Sequence, residues 1–108
     1  MIIGCPTEIK NQEYRVGITP ATAAEATLRG HKVLIQSGAG NGSGFSDSEY
    51  TEIGAIIIDT AEELFKKSEM IVKVKEPQAI ERAMLREDQI LFTYLHLAPD
   101  LEQTNDLL

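Results

Sequence analysis

The sequence predicts an α/β fold, a parallel sheet with helices on both faces in flavodoxin-like layers. Three observations lead there. Short apolar runs, several rich in β-branched residues, recur five times in 108 residues, at 1–5, 32–36, 55–58, 70–74 and 89–95. Each has the length of a strand rather than a helix. Helix-start signals fall between them: Thr19-Pro20, Ser46-Asp47-Ser48-Glu49 and Thr60-Ala61-Glu62-Glu63. Strands alternating with helices in this way build a parallel sheet covered on both sides.

The first strand, MIIGC, is closed by Pro6, which has no N–H to continue a ladder. The polar stretch after it carries Glu8, Lys10, Glu13 and Arg15 without periodicity and reads as a charged loop. Thr19 caps an alanine-rich helix with Pro20 in its first position, and Gly30 stops it. KVLIQ is the second strand, followed by the glycine-rich SGAGNGSG. A capping box opens a short helix over residues 46–53, Gly54 ends it, and residues 55–58 are the third strand. The next capping box opens a helix with Leu64 and Phe65 inward. Lys66 and Lys67 lie in its last turn, where cations complement the helix dipole. Residues 70–74, MIVKV, form the fourth strand, closed by Lys75-Glu76-Pro77. A helix is expected over residues 78–87, with Ile80 and Met84 on one face. The fifth strand covers residues 89–95, with His96 just past its apolar part. Asp100-x-x-Gln103 begins a last helix that reaches Leu107-Leu108 uncapped. Two leucines with nothing left to bury them lead us to expect the front part of something longer, with apolar surface that favours self-association.

Composition narrows the function. At 108 residues there is one domain at most, with 43% hydrophobic and 25% charged residues, as in soluble globular proteins. The formal net charge of −7, without a basic cluster, gives no footprint for nucleic acid or an anionic membrane surface. No apolar run approaches a membrane span and no signal sequence opens the chain, so a cytoplasmic location is expected. The single cysteine, Cys5, reads as a buried small hydrophobe, and no Cys/His cluster has metal-ligand spacing.

Chemistry gathers at strand ends. In open parallel sheets ligands bind beyond the carboxyl ends of the strands. Lys75 closes the fourth strand there, with Lys73 on the same side two residues earlier; the plain alternative is two solvated lysines on an edge strand. Arg15, in the loop after the first strand, can clamp a carboxylate through two parallel hydrogen bonds, or else pair at the surface with Glu8 or Glu13. His96 lies past the fifth strand and can exchange protons near neutral pH, or serve as a hydrogen-bonded structural residue. His31 follows the helix-ending Gly30 and has a structural explanation. Gly38, Gly40, Gly42 and Gly44 follow a strand, but the dinucleotide fingerprint requires glycine where Ser43 stands. With no P-loop lysine either, that loop reads as structural. Two cations and an imidazole at one edge suit a small carboxylate with a carbonyl to be polarised.

The stretch Gly4-Cys5-Pro6-Thr7-Glu8-Ile9-Lys10-Asn11-Gln12-Glu13-Tyr14-Arg15-Val16, continuing to Thr19-Pro20, resembles the N-terminal signature of the alanine dehydrogenase and transhydrogenase family. Lys73-Val74-Lys75-Glu76-Pro77 and Tyr94-Leu95-His96-Leu97-Ala98 are similar to the alanine dehydrogenase branch, and Ser37-Gly38-Ala39-Gly40 and Gly44-Phe45-Ser46-Asp47 match in register. Cys5 and Gly17 stand where valine and alanine would be expected. The resemblance spans the whole chain. It implies NAD-dependent oxidation of L-alanine to pyruvate and ammonia, with Arg15 and Lys75 binding the substrate, Lys75 polarising its carbonyl or imine, and His96 as acid/base group. It also implies that residues 1–108 are the N-terminal part of the substrate-binding domain. The Rossmann domain that binds NAD is then absent, so the chain is expected to be inactive alone, and the full-length form is expected to be a homo-oligomer. A transhydrogenase-like domain, or a stand-alone module that binds a small carboxylate, remains the alternative.

Overall fold

The computed structural model describes residues 1–9 and 13–94. The first strand, β1 (Ile2–Cys5), leads through a long loop to α1 (Pro20–Leu28), and β2 (Lys32–Gln36) follows. A single 3-10 turn at Asn41–Ser43 precedes α2 (Asp47–Glu52), β3 (Ile56–Ile58), α3 (Ala61–Lys67) and β4 (Met70–Lys73). The described part closes with α4 (Ala79–Arg82) and β5 (Ile90–Thr93).

The five strands form one sheet in the order β3-β2-β1-β4-β5, with every pair parallel. The expected layering holds: Ile3, Cys5, Val33, Ile35 and Val72 pack with Ala23 of α1 and Tyr50 of α2 on one face. Leu34, Ile58 and Ile71 pack with Leu64 and Phe65 of α3 on the other. The strand order, which local pattern does not specify, is that of the dinucleotide-binding folds rather than the flavodoxin order. From β1 the chain steps outward through β2 to β3. It then crosses back to the other side of β1 for β4. The loops after β1 and β4 therefore diverge, and the crevice between them is where doubly wound sheets place ligands.

Local signals explain the helix starts. Thr19 Oγ1 accepts from Thr22 N, and Ser46 and Glu49 form a reciprocal capping box. Thr60 Oγ1 accepts from Glu63 N. Gly4 lets β1 lie against the end of α3, because a Cβ there would stand 1.9 Å from Ser68 Oγ.

Three expectations need correction. The helix expected over residues 78–87 is only the four residues of α4. Glu81 turns inward to Lys73, and Arg86 and Gln89 donate to carbonyls at the end of α3, so tertiary partners hold the following segment out of the helix. The fourth strand ends at Lys73, two residues before Lys75. The alternative of solvated lysines on an edge strand fails, since β4 lies between β1 and β5 and Lys73 is 1% exposed. The last helix, from Asp100, lies outside the described residues.

Candidate functional site

Three loops meet at the carboxyl edge of the sheet. The loop after β1 carries Glu8, Glu13 and Arg15, the segment after β4 carries Val74 and Lys75, and Tyr94 stands just past β5. The glycine-rich loop after β2 braces the first of these: Ser43 Oγ donates to Tyr14 O at 3.0 Å. Gln36 Oε1 accepts from Thr7 N at 2.9 Å. From behind, Tyr50 Oη donates to Ile18 O at 2.7 Å, and burial raises that phenol well above its ordinary pKa. Gly17 lies directly on β4, where a Cβ would come within 2.6 Å of Val72 O. Glycine in place of the expected alanine thus permits the loop's closest approach to the strand.

Beneath the edge lies a buried ionic triad. Lys73 Nζ is 3.1 Å from Glu8 Oε1 and 2.9 Å from Glu81 Oε2, the three side chains being 1%, 2% and 3% exposed. Glu8 also accepts from Val74 N at 3.0 Å and Lys75 N at 3.1 Å. One carboxylate thus fastens the loop after β1 to the backbone that presents Lys75. The bonds also supply the pairing that a charge removed from water requires.

At the surface of the crevice, Glu13 sits between the two predicted substrate-binding cations. Arg15 donates to it through Nε and Nη2, both at 3.1 Å, and through its backbone N–H at 2.8 Å. Lys75 Nζ lies 3.7 Å from Glu13 Oε1. The Glu13 side chain is 3% exposed and that of Arg15 65%. The Arg15 hydrogen bonds, against the opposing effect of burial, hold the Glu13 carboxyl at about 2, below its ordinary 4.5, and Glu13 in turn raises the Arg15 pKa. An open cavity of about 290 Å³ adjoins the pair, lined by Arg15, Val16, Gly17, Thr19, Thr22, Ser43, Val74 and Tyr94. Its size is near the lower end for small-molecule pockets, about 300 Å³. Tyr94 Oη donates to Gly17 O at 2.9 Å, which ties the end of β5 to the loop bearing Arg15.

The described residues do not fit a dinucleotide. In this strand order the diphosphate would lie over the turn after β1, which here has no glycine fingerprint and carries two buried carboxylates, Glu8 and Glu13. In the glycine loop, Gly38 N donates to Asp47 Oδ1 at 2.9 Å and Ser37 Oγ to Asp47 Oδ2 at 2.9 Å, so an anion already holds those donors. No group of His, Cys, Asp and Glu among the described residues could hold a metal ion, and no described helix is long and apolar enough to cross a membrane.

Comparison with known proteins identifies the family. Residues 4–108 match the family described as "Alanine dehydrogenase/PNT, N-terminal domain". The chain belongs to that family. It is 53% identical over 108 residues to alanine dehydrogenase of Mycolicibacterium smegmatis and 56% identical to that of Methanococcus maripaludis. Each match covers 100% of this chain and 29% of the relative, so the chain spans under a third of their length. A solved L-alanine dehydrogenase superposes with a TM-score of 0.94 at 47% identity, over 99% of this chain and 29% of that one. A transhydrogenase from Sinorhizobium meliloti gives 0.91 at 26% identity, over 99% of this chain and 32% of its own.

Within this family member, the structure brings Arg15 and Lys75 to one carboxylate, while His96 lies outside the described residues. Sequence reasoning named Glu13 only as a possible surface partner of Arg15, and missed its burial and its approach to Lys75. It missed Glu81 and the interior role of Glu8 altogether. The available signal was Lys73, a charge inside a buried strand, which demands buried carboxylates. Cys5 is fully buried, and desolvation pushes its thiol up to about 12, so it is no nucleophile. His31 Nδ1 lies 3.3 Å from the N-terminal amine.

Proposed function

We propose that this chain is the substrate-binding segment of an NAD-dependent L-alanine dehydrogenase, the enzyme that converts L-alanine, NAD and water to pyruvate, ammonia and NADH. The single observation that carries this reading is the convergence of Arg15 and Lys75 on one carboxylate at the switch point of the sheet. A pair so placed can hold a substrate carboxylate: the guanidinium offers a planar fork and the ammonium a point charge. Lys75 then stands where a fixed positive charge would polarise the adjacent carbonyl or imine. His96, two residues beyond Tyr94, is assigned the proton transfer. NAD is assigned to the part of the longer relatives that this chain does not span, in keeping with the poor fit of the described residues to a diphosphate. The full-length enzyme is proposed to be a cytoplasmic homo-oligomer, and the 108 residues alone to be inactive.

The test is protection of Lys75. Acetic anhydride should acylate the lysines of the chain, and pyruvate should slow acylation at Lys75 while leaving Lys66 and Lys67 unaffected. Peptide mass spectrometry reads each site. Lys75→Ala should weaken pyruvate binding at least tenfold. Equal acylation of Lys75 with and without pyruvate would sink the assignment and favour a transhydrogenase-like domain, the second reading that the 0.91 superposition supports. Mixed with NADH, pyruvate and ammonium, the chain should leave NADH absorbance flat.

A further inference from the structure

Past the end of β4 the backbone has no strand to hold it. The register with β1 ends at Ile71, opposite Gly4, and that with β5 at Lys73, opposite Thr93. The N–H groups of Val74 and Lys75 therefore lie beyond both ladders, where backbone donors shielded from water need acceptors. Glu8 supplies them: Oε2 accepts from Val74 N at 3.0 Å and Oε1 from Lys75 N at 3.1 Å. A carboxylate thus stands in for the missing strand, and its charge strengthens both bonds. The buried triad contains its own comparison. Glu81 faces Lys73 as Glu8 does and is as deeply buried, at 3% against 2%. Its other oxygen, however, accepts from Gln78 N at 2.8 Å, so its bonds serve Lys73 and the start of α4. Either carboxylate alone would match the single charge of Lys73, and only one of them is fastened to Lys75.

We propose that Glu8 is a positioning residue for ligand binding, holding Lys75 toward the crevice through its backbone, whereas Glu81 is the counter-ion of Lys73. The inference rests on the substrate reading above and extends it to a buried residue that does not touch the ligand. Lys75 Nζ approaches Glu13 only to 3.7 Å, so the backbone that Glu8 holds sets where the lysine side chain starts. A cation displaced from its partner's position loses much of its value to that partner.

The experiment compares Glu8→Gln with Glu81→Gln in the 108-residue chain. Each removes one carboxylate from the same lysine and leaves the other paired with it, so the change in buried charge is matched. Glutamine at position 8 offers one acceptor oxygen where the carboxylate uses two. Amide hydrogen exchange by NMR follows Val74 and Lys75, and titration with pyruvate gives the affinity. Glu8→Gln should speed exchange at those two amides about tenfold relative to Val33 and Leu34 in β2. It should also weaken pyruvate binding about fivefold. Glu81→Gln should leave both readouts within about twofold, whatever it does to the urea midpoint. Equal effects of the two substitutions, or none from Glu8→Gln, overturn this inference and leave the substrate reading standing. Glu8→Asp keeps the charge but shortens the reach, and as the second variant it should act as Glu8→Gln does. Should neither variant at position 8 give a folded spectrum, the unmodified chain decides. Protected Val74 and Lys75 amides there support the inference, and freely exchanging ones overturn it. No saturable binding of pyruvate to the unmodified chain overturns the substrate reading and this inference with it.

Discussion

Glu13 shows how a single carboxyl can tie the stability of a loop to pH. Its folded pKa of about 2 lies below the ordinary 4.5 because Arg15 hydrogen-bonds the charged form. A carboxyl whose pKa falls on folding contributes stability above its unfolded pKa, and that contribution is lost as pH falls through the folded value. The stability advantage of the unmodified chain over Glu13→Gln should therefore be complete above about pH 5 and disappear as pH approaches about 2. Urea midpoints measured across that range check it, and an advantage independent of pH would contradict the ion pair. At this scale the sequence was half legible. Arg15 and Lys75 stood out because ligands of open parallel sheets bind beyond the carboxyl ends of the strands. The approach of Glu13 to Lys75 did not, because it forms only when the chain folds.

Among the elements, β4 depends most on others. It presents Lys73 to the interior, and that charge is tolerated only because the loop after β1 supplies Glu8 and α4 supplies Glu81. Removing the cation leaves two buried carboxylates unpaired, a change that costs about 3–5 kcal/mol where one partner of a buried pair is deleted. Lys73→Met should lower the unfolding free energy by about that amount in urea melts, whereas Lys67→Met, at an exposed pair on α3, should change it by less than about 1 kcal/mol. Similar effects of the two substitutions would count against the triad. The helix expected over residues 78–87 stops at α4 because Arg86 and Gln89 are drawn to carbonyls at the end of α3, which periodicity cannot see.

At the scale of the whole molecule, one sheet face is unfinished. Met70 and Val72 belong to the core beside α1 and α2, but their neighbours in register on β5, Ile90 and Phe92, are 49% and 51% exposed, and Tyr94 is 57% exposed. Phe92 and Tyr94 pack edge to face at 5.4 Å, forming an aromatic patch on an edge strand of the described sheet. Exposed apolar patches and edge strands invite association. The chain should sediment as concentration-dependent oligomers, and Phe92→Lys should shift it toward monomer. A monomer at every concentration would refute this. The sequence by itself determined the alternation of strands and helices, the caps at Thr19, Ser46 and Thr60, and the strand Lys32–Gln36, because propensity, turn chemistry and short-range hydrogen bonds act within a few residues. Only the tertiary structure decided the strand order, the burial of Glu8 and Glu13, and the meeting of Arg15 with Lys75. Those depend on contacts such as Glu8 with Lys73, 65 positions apart, which form only when the chain crosses back past β1 and closes the crevice between two diverging loops.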